Sequence, residues 1–92
     1  MLNRQQRFVH YVVRTAITPE RPVEREVVED TFSYDFDEVA YKAFQLAADW
    51  ASQEEPPVPV FPTSPTSVTY TIKTHGHAVI KFAVISEWDG IV

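Results

Sequence analysis

Between residues 24 and 38 the chain reads EREVVEDTFSYDFDE, which sets seven carboxylates and one arginine in fifteen positions. Carboxylates at that density suit three kinds of chemistry: ligating a metal ion, sharing a proton in acid–base catalysis, or presenting a negative surface to a cationic partner. Asp35 and Asp37 have the close spacing a catalytic pair needs, but the segment also has the signature of a helix start, where the backbone dipole favours negative charge and accounts for both without catalysis. His75 and His77 form an H-x-H that invites zinc. Zinc takes four ligands, or three plus water, and the rest of the chain offers only His10 and scattered carboxylates, so the motif reads as a surface turn. There is no cysteine to act as nucleophile or thiolate ligand, no glycine-flanked serine elbow, and Gly76 and Gly90, the only glycines, cannot build a phosphate-binding loop. No enzyme, cofactor or metal site is expected. The remaining carboxylates, Glu24, Glu26, Glu29 and Asp30, have no capping role. They form either the solvated edge of a sheet, charged to resist pairing with other chains, or a surface that holds a cationic partner, to which Asp37 also contributes.

The charge is unevenly distributed along the 92 residues. The formal net charge is −5, made of +3 over residues 1–18, −6 over 19–38, −2 over 39–55 and zero over the remainder. Such a field disfavours free nucleic acid and favours basic protein surfaces. The basic start is the exception, and Arg4, Arg7 and Arg14 are the residues able to touch phosphate there. Length and a hydrophobic content of 45% fit a single domain, residues 1–92. The basic N-terminal stretch makes a poor signal peptide because His10 and Arg14 interrupt its apolar run, and no apolar run is long enough to span a membrane. A reducing cytoplasm is the expected compartment.

Residues 7–17, RFVHYVVRTAI, alternate as a strand rich in β-branched and aromatic side chains. The prolines of TPERP then turn the chain into a second strand over roughly residues 23–32, whose acids suit an edge. Asp35 and Glu38 have capping-box spacing, with Tyr34 and Val39 placed as a hydrophobic staple. From there Phe36, Val39, Ala40, Ala43, Phe44, Leu46, Ala47, Trp50 and Ala51 fall on one helical arc and mark the core face. Pro56, Pro57, Pro59, Pro62 and Pro65 stop that helix and hold the chain extended as a semi-rigid connection. The stretch SVTYTIKTHGHAVIKFAVISEW is a hairpin. A three-residue loop, His75-Gly76-His77, sets Ile72 opposite Ile80, Tyr70 opposite Phe82 and Val68 opposite Val84. The expected fold is α+β: an antiparallel four-stranded sheet in the order β-β-α-β-β with one helix packed on one face. The uncovered face is expected to expose Phe8, Val12, Val79 and Ile85 beside His10, Arg14 and Lys81, which offers an alternative role as a small structural or assembly protein that self-associates there.

In its length, its lack of cysteine, its acidic helix-plus-antiparallel-sheet body and its lack of a catalytic constellation, the whole chain resembles the small phage-encoded anti-CRISPR proteins that inhibit type I-F surveillance complexes. These inhibitors share no common motif, so no residue role carries over from them. The resemblance implies a non-enzymatic, stoichiometric inhibitor in the host cell cytoplasm that docks on the Cas backbone subunits holding the guide RNA and blocks target DNA binding. A compatible mechanism has Glu24, Glu26, Glu29, Asp30 and Asp37 pair with the lysines and arginines that would hold DNA. Arg4, Arg7 or Arg14 would then reach guide phosphates, with no free DNA and no membrane as partner.

Overall fold

The computed structural model describes residues 6–62 and 68–91. Its elements run β1 (Gln6–Ile17), β2 (Glu24–Ser33), α1 (Phe36–Gln53), β3 (Val60–Pro62), β4 (Thr69–Lys73) and β5 (Val79–Ile91). The strands form one antiparallel sheet in the order β2-β1-β5-β4-β3. The α+β class, the single helix and the antiparallel sheet are as expected, but the described residues form five strands rather than four. The additional strand lies inside the proline segment. Val60, Phe61 and Pro62 pair with Ile72, Thr71 and Tyr70 at the sheet margin. An edge is the place in a sheet that tolerates prolines, because one side of the strand needs no donors.

The two longest strands, β1 and β5, pair at the centre from Gln6↔Ile91 to Ile17↔Val79. The β4–β5 turn has the expected register: Ile72 faces Ile80, Tyr70 faces Phe82, and Val84 N–H donates to the Val68 carbonyl at 2.9 Å. Thr74 and Ala78 close the loop through a 2.9 Å backbone bond, and His77 takes the left-handed conformation (φ 67°) that ends a three-residue hairpin loop. The first and second strands pair directly, which the sequence left open, and β2 is indeed an edge.

Helix α1 crosses one sheet face from the β2 margin to the β3 margin. Val39, Ala43, Ala47 and Ala51 form its buried seam against Val12, Ile72, Ile80 and Phe82. Three alanines let the helix backbone approach the sheet closely. The expected arc was too wide at its borders: Phe36 and Phe44 stay largely exposed, packing edge-on against His10 and Tyr70. The expected exposure of Val12 is also overturned. Val12 is fully buried beneath the helix, and Arg14 stands on the same side, over the Trp50 ring. Phe8 and His10 alternate onto that side as well, His10 packing on Phe36 of the helix, whereas Val79, Lys81 and Ile85 lie on the open face as expected. Residues on both faces of β1 are apolar or aromatic, so alternation alone could not say which would be covered. Tyr11, Val13 and Ile17 take the open face, sharing it through register with Ile85, Ala83 and Val79.

The helix is capped as its sequence indicates, with one substitution. Asp35 Oδ1 accepts from the N–H groups of Asp37 (3.0 Å) and Glu38 (3.4 Å). Glu38 does not reach back to the cap; Ser33 Oγ accepts from Asp35 N–H at 3.0 Å and donates to Glu38 Oε2 at 2.8 Å. Ser33 therefore relays the second half of the capping box. Tyr34 leaves the staple position and turns to Arg7 and Asp89.

Between β1 and β2 the register slips. Val12 faces Val28 and His10 faces Ser33, so residues 29–32 bulge against Tyr11 alone. Thr31 replaces the lost ladder partner: Val12 N–H donates to Thr31 Oγ1 at 2.9 Å, and the Thr31 hydroxyl donates to the Val28 carbonyl at 2.6 Å. At 2% exposure it is the buried polar residue among those described. Thr31→Val keeps the shape and strands the Val12 N–H, so we expect a loss of about 1–3 kcal/mol in urea unfolding, with Thr31→Ser losing distinctly less. Equal losses in the two variants would show that the methyl group, not the hydroxyl, secures the bulge.

Candidate protein-binding surface

The bulge and the helix start together shape the acidic side of the molecule. Alternation along β2 turns Glu24 and Glu26 to the helix side, opposite Ala16 and Arg14. Residues 29–32 then leave the ladder, which carries Glu29 and Asp30 outward into solvent. Asp37 follows on the exposed first turn of α1.

These carboxylates are not equivalent. Glu26 is engaged internally, its Oε2 accepting from Arg14 at 2.6 Å, in a pair with side-chain exposures of 64% and 34%. Arg14 is thereby held over Trp50, 5.8 Å from the ring centre, and lines an open groove with Glu24 and Ala16. Lys42 is also engaged internally. Its Nζ lies 3.3 Å from Glu38 Oε1 and donates to the Asp30 carbonyl at 3.5 Å, tying the bulge to the helix. Glu38 has its carboxyl held below the usual range, chiefly by the Ser33 hydroxyl and then by Lys42, against the opposing charge of Asp35. Among the described residues, the side chains of Glu24, Glu29, Asp30 and Asp37 have neither a hydrogen bond nor an ion pair within the chain.

Arg7 lies far from Arg14, at the other end of β1, with its guanidinium 4.1 Å from the centre of the Tyr34 ring. Arg4 lies outside the described residues. The structure thus brings Glu24, Glu26 and Arg14 together in one groove, sets Glu29, Asp30 and Asp37 beyond it, and leaves Arg7 apart. His75, at the opposite end, donates from Nε2 to the Pro56 carbonyl at 2.7 Å, and its N–H donates to Glu54, so the turn is fastened to the end of α1.

The neighbourhood of Arg7 was missed by sequence reasoning. A strand of thirteen residues extends about 43 Å, whereas an eighteen-residue helix covers about 27 Å, so the β1–β5 ribbon outruns the helix. The molecule is accordingly 57 Å long and 24 Å across. Aromatic side chains gather at that end on both faces of the sheet, Phe8, His10 and Trp88 on the helix side and Tyr11 on the open face. Phe8 packs edge-on to Trp88 at 5.4 Å, His10 edge-on to Phe36 at 5.2 Å, and Tyr11 stacks on Phe32 at 4.6 Å. Polar bonds hold the two groups: His10 Nδ1 to Ser86 Oγ at 2.6 Å on the helix side, Tyr11 hydroxyl to Glu87 at 2.6 Å on the open face, and, near the end of the ribbon, Tyr34 hydroxyl to Asp89. The carboxylates that accept from Tyr11 and Tyr34 push both phenols above their ordinary pKa. Phe8, Phe32, Tyr34, Phe36 and Trp88 are each 40–50% exposed. Large aromatics held rigid and half exposed, with an arginine among them, are the composition of interface anchors. The available signal was the alternation of Phe32, Tyr34 and Phe36 within the acidic stretch itself, which places aromatics and acids on one margin.

The lowered carboxyl of Glu38 stabilises the fold fully above the unfolded carboxylate range and loses that contribution as pH falls through its folded value. The melting temperature of Glu38→Gln should therefore lie below that of the parent at pH 7, with the gap closing as pH falls through the folded value of the carboxyl. A gap independent of pH would assign the effect to packing rather than charge. No protein-family model, no curated protein and no solved structure matches this chain.

Proposed function

We propose that the chain is a non-enzymatic binding protein that seats its acidic margin on a cationic protein surface and anchors there through the adjacent aromatic end. The observation that carries this reading is the set of exposed carboxylates, Glu24, Glu29, Asp30 and Asp37, that have no partner within the described chain. Like charges gathered on one margin repel each other, and a basic surface relieves that repulsion. Long-range attraction speeds the encounter, while desolvated aromatics such as Phe8, Phe36 and Trp88 slow dissociation. Glu26 contributes differently, by holding Arg14, so its role is to shape the groove.

Basic surfaces of this kind are those that hold nucleic acid, and the resemblance to type I-F anti-CRISPR proteins supplies the specific form of the proposal. In it the chain docks on the Cas backbone subunits of a surveillance complex and blocks target DNA by occupying the lysines and arginines that would receive it. Arg7, beside the aromatic end, is the described cation placed to touch guide phosphate from such a position.

The test uses a purified type I-F surveillance complex and labelled target DNA. The parent protein should bind stoichiometrically and suppress DNA binding, with affinity falling as salt is raised. Reversing two unpartnered carboxylates, Glu29→Lys with Asp37→Lys, should weaken binding at least about tenfold. Trp88→Ala should weaken it similarly, through faster dissociation. Full inhibition by the double reversal would remove the electrostatic mechanism, and no binding by the parent would remove this partner.

A further inference from the structure

The open face of the sheet has a chemistry opposite to that of the acidic margin. Ile80 and Phe82 in β5, Ile72 in β4 and Val60 in β3 pack beneath α1, so alternation turns Lys81, Lys73, Thr71 and Phe61 to the other side. The register then aligns Arg25, Thr15, Lys81, Thr71 and Phe61 in one row across all five strands, in the order β2-β1-β5-β4-β3. With neighbouring strands about 4.8 Å apart, the row is roughly 19 Å long. Lys73 stands two residues along β4 from Thr71, its Nζ 5.8 Å from the centre of the exposed Phe61 ring. Arg25 and Lys81 have no hydrogen-bonding or ion-pair partner for their side chains among the described residues. Most of the acids turn elsewhere: Glu24 and Glu26 face the helix side, Glu29 and Asp30 sit in the bulge, Asp89 accepts from the Tyr34 hydroxyl, and Asp35, Asp37, Glu38 and Asp49 belong to the helix and its cap. Glu87, paired with Val9, does share the open face, but it sits six residues along β5 from Lys81 and accepts from the Tyr11 hydroxyl.

We infer that this row binds a single-stranded nucleic acid laid across the strands. Arg25, Lys81 and Lys73 meet the phosphates, the hydroxyls of Thr15 and Thr71 hydrogen-bond the backbone between them, and Phe61 stacks a base at the margin. Cations and hydroxyls in line are the groups that contact a sugar–phosphate chain, and an exposed ring at the end of the same line suits an unstacked base. An acidic peptide would neutralise the cations but leave Phe61 and the threonine hydroxyls without a role. A duplex presents phosphates but no free base. Glu24 and Glu26 flank Arg25 but turn to the other face, where Glu26 is paired with Arg14, and at about 0.1 M salt acids more than about 10 Å away are screened, so the local cations govern the encounter despite the net charge of −5. The row ends on β2 at Arg25 but faces away from Glu24 and Glu26, and its tests at Lys81 and Phe61 leave the acidic carboxylates unchanged, so either surface can fail its test without the other.

The experiment is fluorescence anisotropy of a labelled oligouridine twelve nucleotides long, titrated with the full chain from about 20 to about 200 mM salt. Three phosphate contacts on a single strand, at about 0.7 each, predict that the logarithm of affinity falls with the logarithm of salt at a slope of about 2. Lys81→Glu should weaken binding at least tenfold, and the milder Lys81→Gln should reduce the slope by about 0.7. Phe61→Ala should weaken binding about fivefold or more at an unchanged slope. Thermal melts equal to that of the parent establish that each variant is folded. The inference is overturned by absence of saturable binding at the lowest salt, by parent-like binding of both Lys81 variants, by equal affinity for a duplex of the same length, or by displacement of the oligonucleotide as readily by polyglutamate as by unlabelled oligouridine.

Discussion

The antiparallel pairing of β1 with β5 brings residues 6–17 against residues 79–91, and every other element takes its place from that contact. Without it the chain holds two separate hairpins, β1–β2 and β4–β5, and an isolated hairpin is marginal in water. The floor on which α1 packs exists only once the two are joined, since Val12 comes from β1, Ile80 and Phe82 from β5 and Ile72 from β4. The helix then bridges the sheet from one margin to the other. Joining the first strand to the last requires closure of nearly the whole chain before the core can form, so the topology belongs to the slower-folding class of non-local sheets.

Both sheet margins are protected against pairing with other chains, by different means. β3 is three residues long and carries Pro62, with Pro59 just before it. β2 is ten residues long and would be an exposed template, but charge and a four-residue bulge interrupt it. The bulge is stable because the Thr31 hydroxyl takes over a ladder bond and Lys42 ties the outer loop of backbone to the helix. The same device that blunts the edge turns Glu29 and Asp30 toward solvent. Edge protection and an outward acidic surface are therefore consequences of one local distortion.

Charge is segregated by the architecture rather than averaged over it. Carboxylates collect along the β2 margin and at the helix start, aromatics collect where the central ribbon outruns the helix, and cations and threonines line the face that the helix leaves open. Among the described residues the ion pairs are few and exposed: Arg14 with Glu26, and Lys42 with Glu38. Pairs of that kind contribute little to stability, about 0–1 kcal/mol each. Their structural effect is to orient Trp50's neighbour and to brace the bulge, which leaves the unpartnered charges to define how the surface meets other molecules.

What the sequence determined by itself was everything governed by neighbours a few residues apart. The cap at Asp35 follows from its own side chain and two nearby N–H groups, the end of the helix from Pro56 and Pro57, and the β4–β5 register from a three-residue loop whose parity decides which side chains share a face. The acidic margin was legible because its residues are contiguous. The tertiary structure alone decided which face of β1 is covered, because Val12 and Val13 are equally apolar and only the position of α1 distinguishes them. Strand β3 was hidden by its prolines, which read as connection until a margin was available to pair with. The aromatic end and the row from Arg25 to Phe61 were not legible at all, since each joins residues from strands distant in the chain, and their alignment exists only when several registers, including the slip at Thr31, have been set together.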